Sequence, residues 1–527
     1  MNDKKKQFNK IVTGGLILTA SSFIAKFLSA LYKIPFQNLT GDAGFYVYQQ
    51  VYPLYGLAIA FSLTGLPAFV SKVISEADDE QTLHRSLQEL NTWFMAIGFG
   101  VFIALQFGAS HLAGMMGDLQ LTEVIRTVSY FFLFLPFLSL VRGYFQAQSK
   151  MLPTGLSQVS EQIIRVVILL AVAIMFPKNS WSVYEMGSRA YHSAWISALV
   201  GSIVLLIYLN KEHKVSDYLK ALKPRWSAAM GKRLLSEGFL LMAVSSLMIL
   251  FQFIDSFTVF NGLMDAGFPS DFSMGMKGVY DRGQPLVQLG LVVGMGFSMT
   301  SLPLLRKWAL KGQWREWTEN AASVIRMTVL LASAASVGLA AVMPWMNYTL
   351  FTDFEGTQAL QILVISVFLA SFIYCLHMIL QSTNQPDKGL LMLLVGLFFK
   401  LLVNQFVVRH MGIVGSSIVT VFSLLIISVF MMQQIEKNVW KHVLHNKFLV
   451  KLMFLLAGMY GMVWGVGEIL PQFLPLTGRG GSLLLTLAGV TVGAAFFILG
   501  AIGLDVLEDN ELSQLPLPRF LKNIKRK

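Results

Sequence analysis

Several residues of this sequence carry charge where charge is costly. Lys26 and Lys33 stand seven apart, on one helix face, inside an apolar run over residues 12–33. Glu161 and Arg165 stand four apart in a run over 154–176, with Gln158 and Gln162 beside them. Asp255 sits among aromatics in FQFIDSFTVF, Asp281 and Arg282 stand near the start of a run over 279–304, and Lys400 lies within 389–408. An ionisable side chain in hydrocarbon costs from about 2.5 to over 10 kcal/mol, so each of these needs a partner, a cavity or an interface.

The residue types limit the chemistry. Lys26, deep in its run, lines a cavity or joins a structural ion pair. Lys33, near the end of the same run, either snorkels to the surface or joins Lys26. Glu161 precedes Arg165 in the order that favours an intrahelical pair. Asp255 suits an ion site, a proton site, a cation's counter-charge or a hydrogen bond between helices. Asp281 and Arg282 diverge by about 100° around a helix, so they do not simply neutralise each other. The guanidinium fork of Arg282 matches phosphate oxygens; an interfacial anchor is the other reading. Lys400 stands where Arg165 stands in the other half of the chain, but Gly396 replaces the acid four residues earlier.

The elements that must hold these residues are membrane helices. Of the 527 residues 55% are hydrophobic and 13% charged, against about 25% charged in a soluble protein; mean hydropathy is +0.60. A bilayer core needs roughly 20 apolar residues per helix. Fourteen candidate spans result, at 12–33, 45–70, 91–110, 122–145, 154–176, 187–209, 235–260, 279–304, 320–343, 357–381, 389–408, 412–433, 449–470 and 482–503. Threaded alternately, they put most of the lysine and arginine on one side. That side receives Lys4 to Lys10, the seven basic residues between Lys211 and Arg233, Arg306 to Arg315 and Arg519 to Lys527. The other side receives only Lys178, Arg189, Lys277, Arg409 and Arg479. This positive-inside asymmetry predicts cytoplasmic termini and accounts for the net charge of +12 without nucleic acid. One cysteine, Cys375, allows neither an internal disulfide nor a cysteine metal cluster. No GxxxxGK[ST] loop and no HExxH occur, so no metal site, cofactor or enzymatic activity is expected.

The chain repeats itself. FSLTGLP at 61–67 returns as FSMTSLP at 297–303, and the Tyr-x4-Pro of Tyr48–Pro53 returns at Tyr280–Pro285. Gln146 precedes Arg165 by 19 residues, as Gln381 precedes Lys400. An offset near 235 residues makes two six-span units of the same orientation, the parallel-repeat plan of transporters that bind cargo between two lobes. The expected organisation is a first lobe over 1–210, a basic cytoplasmic linker over 211–234, a second lobe over 235–436, and two further helices with a basic tail over 437–527.

GFYVYQQVYPLYG, FSLTGLPAFVSK, VRGYFQAQSK and SQVSEQIIRV resemble the polysaccharide-export flippases of the multidrug/oligosaccharidyl-lipid/polysaccharide superfamily, in the branch of stage V sporulation protein B and the lipid II flippases. The resemblance implies an all-α membrane fold with a V-shaped pair of lobes, as in multidrug exporters of that superfamily, around a cationic cavity. It implies export of an undecaprenyl-pyrophosphate-linked sugar across a bacterial plasma membrane. Lys26 takes the place of the family's first basic residue, with Lys33 one residue beyond the second. Tyr280-Asp281-Arg282 matches the family's Ala-Asp-Arg, and Asp42 is the nearest counterpart of an acid in the second span. The resemblance thus makes Lys26, Lys33 and Arg282 substrate ligands and Asp42 a candidate for coupling or gating; Asp255 and Asp281, acids in apolar runs, are further candidates.

The expected function is a lipid-linked oligosaccharide flippase, a monomer driven by Na⁺, protons or membrane potential. A cation or drug antiporter on the same scaffold is the alternative. It needs cavity acids, and only Asp255 and Glu161 qualify. The threading places Lys220 in the cytoplasm and Asp353 outside. With Cys375→Ala as background, a membrane-impermeant thiol reagent added to intact cells should label Asp353→Cys and leave Lys220→Cys unlabelled. Labelling of Lys220→Cys from outside would sink the fourteen-span threading.

Overall fold

A computed structural model describes residues 21, 24, 25, 27–238, 246–383, 386–506 and 511. The chain is all-α, with no strand among the described residues. Among the described residues, eleven helices are long and apolar enough to cross a membrane. Two of these exceed a single crossing. Phe27–Ser75 has 49 residues and Gly389–Met432 has 44. Each contains a glycine with positive φ, Gly41 at 71° and Gly412 at 60°. An L residue with a side chain is strained there, so the helix direction breaks where the sequence places a boundary between two spans.

The chain divides into two compact units, Met1–Asp281 and Arg282–Lys527. The first begins with α1 (Lys33–Ala60), a π-helical turn (Phe61–Gly65) and α2 (Leu66–Ser75). It continues through α3 (Glu80–Met115), α4 (Thr122–Ser129), α5 (Leu135–Ala147), α6 (Met151–Met175) and α7 (Val183–Lys211). Two short helices, α8 (Val215–Ala221) and α9 (Ala228–Arg233), lie in the basic connection, and α10 (Leu247–Asp265) and α11 (Ser270–Asp281) complete the unit. The second lobe is expected from residue 235; in the packing division α10 and α11 fall with the first unit, because they pack against α1.

Local sequence explains the helix starts. Asp79 caps α3 by accepting from the Thr82 amide at 2.6 Å, and that bond holds its carboxyl below the usual carboxylate range. The acidic run at 78–80 is thus a solvated turn with one capping member. Ser182 and Glu185 form a reciprocal capping box at α7.

The second unit holds α12 (Gly283–Leu310), α13 (Trp314–Phe351), α14 (Thr357–Leu363), α15 (Ile365–Ser382), α16 (Pro386–Met432) and α17 (Lys437–Val443). It ends with α18 (Phe448–Phe473) and α19 (Gly478–Gly503), which pack on each other and on α13. Buried Arg326 of α13 donates to the Val506 carbonyl at 3.0 Å and pairs with Glu511 at 3.3 Å, tying the end of the described chain to this unit.

The two copies of the repeated heptad differ locally. FSMTSLP continues the α-helix of α12, whereas FSLTG of the first copy is π-helical. A π turn shifts the i→i−4 bonds out of register. Buried Arg142 of α5 donates to the Ser62 carbonyl inside it at 3.3 Å. Arg142 also donates to Ser157 at 2.8 Å and to Glu161 at 2.6 Å, both on α6. Glu161 therefore does not pair with Arg165, as its spacing suggests. Its carboxylate meets α5, while Arg165, one turn further along, meets α1. Each side chain takes its partner from a different neighbouring helix.

Removing one member of a buried pair costs about 3–5 kcal/mol, whereas replacing both by apolar residues is close to neutral. Arg142→Met should therefore lower thermal stability in detergent strongly, and Arg142→Met combined with Glu161→Met should recover most of it. Equal losses in the single and double variants would refute the pairing.

Candidate functional site

A buried polar cluster of the first unit is built on the Tyr-rich face of α1. The stretch YVYQQVYPLY places Tyr48, Tyr52 and Tyr55 at intervals of four and three, on one side of a helix. Tyr32 just precedes α1. Onto these rings comes Arg165 of α6. Its Nη2 donates to the Tyr32 and Tyr48 hydroxyls at 2.8 and 2.9 Å, and the two hydroxyls share a bond of 2.7 Å. The guanidinium carbon lies 4.3 Å from the Tyr55 ring centroid and 5.8 Å from that of Tyr52. From α7, Tyr191 stacks on Tyr48 and donates to its backbone carbonyl at 2.6 Å. Arg165 is thus a guanidinium held by phenols.

Lys33 joins this cluster. Its ammonium lies 3.9 Å from the Tyr52 ring centroid. The residue is 0% exposed, and its Nζ has no hydrogen-bond partner among the described residues. Lys33 does not snorkel. It lies in the first turn of α1, on the face that carries buried Phe36, Gln37 and Thr40. Asp281 is close enough to act on Lys33 electrostatically, but both its carboxylate oxygens accept from Lys277 at 2.7 Å. Asp255 accepts from the Tyr280 hydroxyl at 3.2 Å. Asp42, partly exposed, accepts from Gln37 at 2.7 Å.

In the second unit, Arg282 is 1% exposed and donates to Asp353 at 2.7 Å, with the Phe351 ring 5.0 Å away. Lys400 is fully buried and donates to Thr420 at 2.8 Å across the two halves of α16. Lys26 lies outside the described residues.

The structure thus gathers Lys33 and Arg165 into one cluster and gives Asp281, Glu161 and Arg282 ion-pair partners of their own. Sequence reading passed over three participants. Arg142 stands near the end of an apolar run and reads as interfacial. Lys277 reads as a loop cation. The tyrosines read as apolar bulk, although their period along α1 and their pairing with a buried arginine were a usable signal. What the cluster can do chemically is hold an anion. It offers one ammonium with free donors and a guanidinium already oriented by hydroxyls.

Comparison with known proteins fits this architecture. Residues 11–308 match the family described as polysaccharide biosynthesis protein. The uncharacterized membrane protein YabM of Bacillus subtilis (strain 168) is 30% identical over 522 residues, covering 98% of this chain and 96% of its own. The lipid II flippase MurJ of the same organism is 27% identical over 441 residues, 78% of this chain and 80% of its own. Among solved structures, a lipid II flippase MurJ in an inward closed conformation superposes with a TM-score of 0.65 at 12% identity, covering 93% of this chain and all of that one. A helical, multiply membrane-crossing fold, a family match over more than half the chain and a relative alike from end to end agree: this chain belongs to the polysaccharide biosynthesis protein family, in the branch that includes the lipid II flippases.

Proposed function

We propose that this protein is a carrier that moves a lipid-linked saccharide with an anionic phosphate or pyrophosphate link from the cytoplasmic to the outer leaflet, by alternating access across fourteen spans. The observation that carries the proposal is the pair of buried cations Lys33 and Arg165, to neither of which a carboxylate is hydrogen-bonded among the described residues. A buried ammonium without a partner is unstable on its own account. Phosphate oxygens bound there offset its desolvation with charge-assisted bonds.

The mechanism follows from the residue types. Lys33 supplies a point charge with mobile donors. Arg165, fixed by Tyr32 and Tyr48, supplies positive potential without needing to move. Lys26 and Arg282 are further proposed ligands. For Arg282 the phosphate oxygen takes the place of the Asp353 carboxylate, an exchange of like hydrogen-bond geometry. The energy source we propose is one of Na⁺, protons or membrane potential, with Asp42, Asp255 and Asp281 as the acids open to coupling. The antiporter reading needs acids available to a cationic cargo. Of the two acids that reading relied on, Asp255 and Glu161, Glu161 is instead bonded to Arg142, which favours the anionic cargo.

Function and stability should separate at Lys33. Lys33→Met removes an orphaned charge, so thermal stability should hold or rise. Transport of a lipid-linked saccharide in proteoliposomes at subsaturating substrate should fall by about 10- to 100-fold, the worth of a lost hydrogen bond to a charged group. Lys33→Arg should retain most of it. Full transport by a folded Lys33→Met would remove Lys33 from the site.

A further inference from the structure

The basic connection between the two sequence repeats is a built platform. Its backbone is bonded to α3 at three points, and one side-chain ion pair adds a fourth. Gln88 donates to the Lys220 carbonyl at 3.2 Å, and Trp93 Nε1 to the Ser227 carbonyl at 2.9 Å. The Arg225 amide donates to Thr92 Oγ1 at 2.8 Å, and its side chain pairs with Glu89 at 3.3 Å. Trp226 meets Trp93 edge to face at 5.2 Å, and Tyr218 meets Phe137 in the same way.

These anchors set the depth of the platform. Glu89 is the last Asp, Glu, Lys or Arg of α3, and Trp93 opens its apolar stretch. Residues 88–93 therefore mark where α3 passes from water into hydrocarbon, the level at which tryptophan is enriched. A segment fastened there lies among the lipid headgroups.

Its exposed side chains are of the kinds that suit that level. Trp226 is 66% exposed, Leu219 58%, Leu222 37% and Leu235 74%. Lys220, Lys223, Arg225 and Lys232 are exposed between them. Residues 211–234 hold seven basic and two acidic residues. Apolar side chains interleaved with lysine and arginine are the composition of an interfacial membrane-binding segment.

We propose that this platform, Leu219 to Leu235, docks on the surface of the adjoining leaflet and selects anionic phospholipid there. Trp226 and the leucines enter the headgroup–acyl boundary, and Lys220, Lys223 and Lys232 meet lipid phosphates. Since α3 and the start of the second repeat are both fastened to it, the platform fixes their height in the bilayer.

The test uses the full chain in nanodiscs. With Cys375→Ala as background, Trp226→Cys carries a spin label whose accessibility to oxygen and to a water-soluble nickel chelate reports depth. In phosphatidylcholine containing phosphatidylglycerol the label should be buried, and in pure phosphatidylcholine it should be shallower. Each lysine changed to Gln at 223 or 232 should reduce the inserted fraction, relative to the exposed one, by about five-fold, from about 1 kcal/mol per basic residue near an anionic surface. High salt should act in the same direction. A label at Leu219→Cys repeats the measurement without removing Trp226. Equal depth in both lipids, or insertion indifferent to the lysines, overturns the anionic selection. Labels in water in both lipids overturn the docking altogether and point to a soluble acidic partner instead.

Discussion

Hydrocarbon does not solvate charge, and the interior of this protein is arranged around that fact. Arg142 and Glu161 meet in full burial, and the same guanidinium reaches Ser157 and the Ser62 carbonyl. Three elements, α5, α6 and the π turn after α1, are joined through one charged group. Without Glu161 the arginine would be an uncompensated ion, and without the arginine the π turn would lose the donor that meets its carbonyl. The same rule recurs at Lys277 with Asp281, Arg282 with Asp353, and Arg326 with Glu511.

Against that background the tyrosine cluster is the departure. Arg165 is satisfied by neutral hydroxyls and ring faces, and Lys33 meets the face of Tyr52 with no hydrogen-bond partner among the described residues. Aromatic faces stabilise a cation by about 0.5 to 2 kcal/mol, far less than a bonded carboxylate inside a membrane. An acid here would have made the cluster stable and closed to an anion. Phenols leave it polar and positive, which is what the proposed binding and release of an anionic cargo needs.

The polar ends of the molecule follow a different logic. At the basic connection, charges are exposed and screened by water, so ion pairs such as Lys214 with Asp217 add little. Geometry there is set by backbone bonds to α3 and by the two tryptophans. A connection fastened at that many points couples the height of α3 to the start of the second repeat.

Composition and spacing alone determined that the chain is all-helical and membrane-embedded, because a bilayer admits long apolar helices and little else. They also marked which residues would be costly there, because a lysine or aspartate in an apolar run stands out by type. The breaks at Gly41 and Gly412 were legible as span boundaries for the same reason. Partner choice was not. Glu161 and Arg165 stand at ideal intrahelical spacing, yet each bonds to a different helix. The number of neighbours a buried side chain meets depends on how helices pack, and packing is set by contacts far apart in sequence. Tyrosine was equally ambiguous: only where α1, α6 and α7 converge does its hydroxyl become the partner of a cation. Tertiary structure decided which charges found a bonded acid and that Lys33 faces the Tyr52 ring with no hydrogen-bond partner among the described residues.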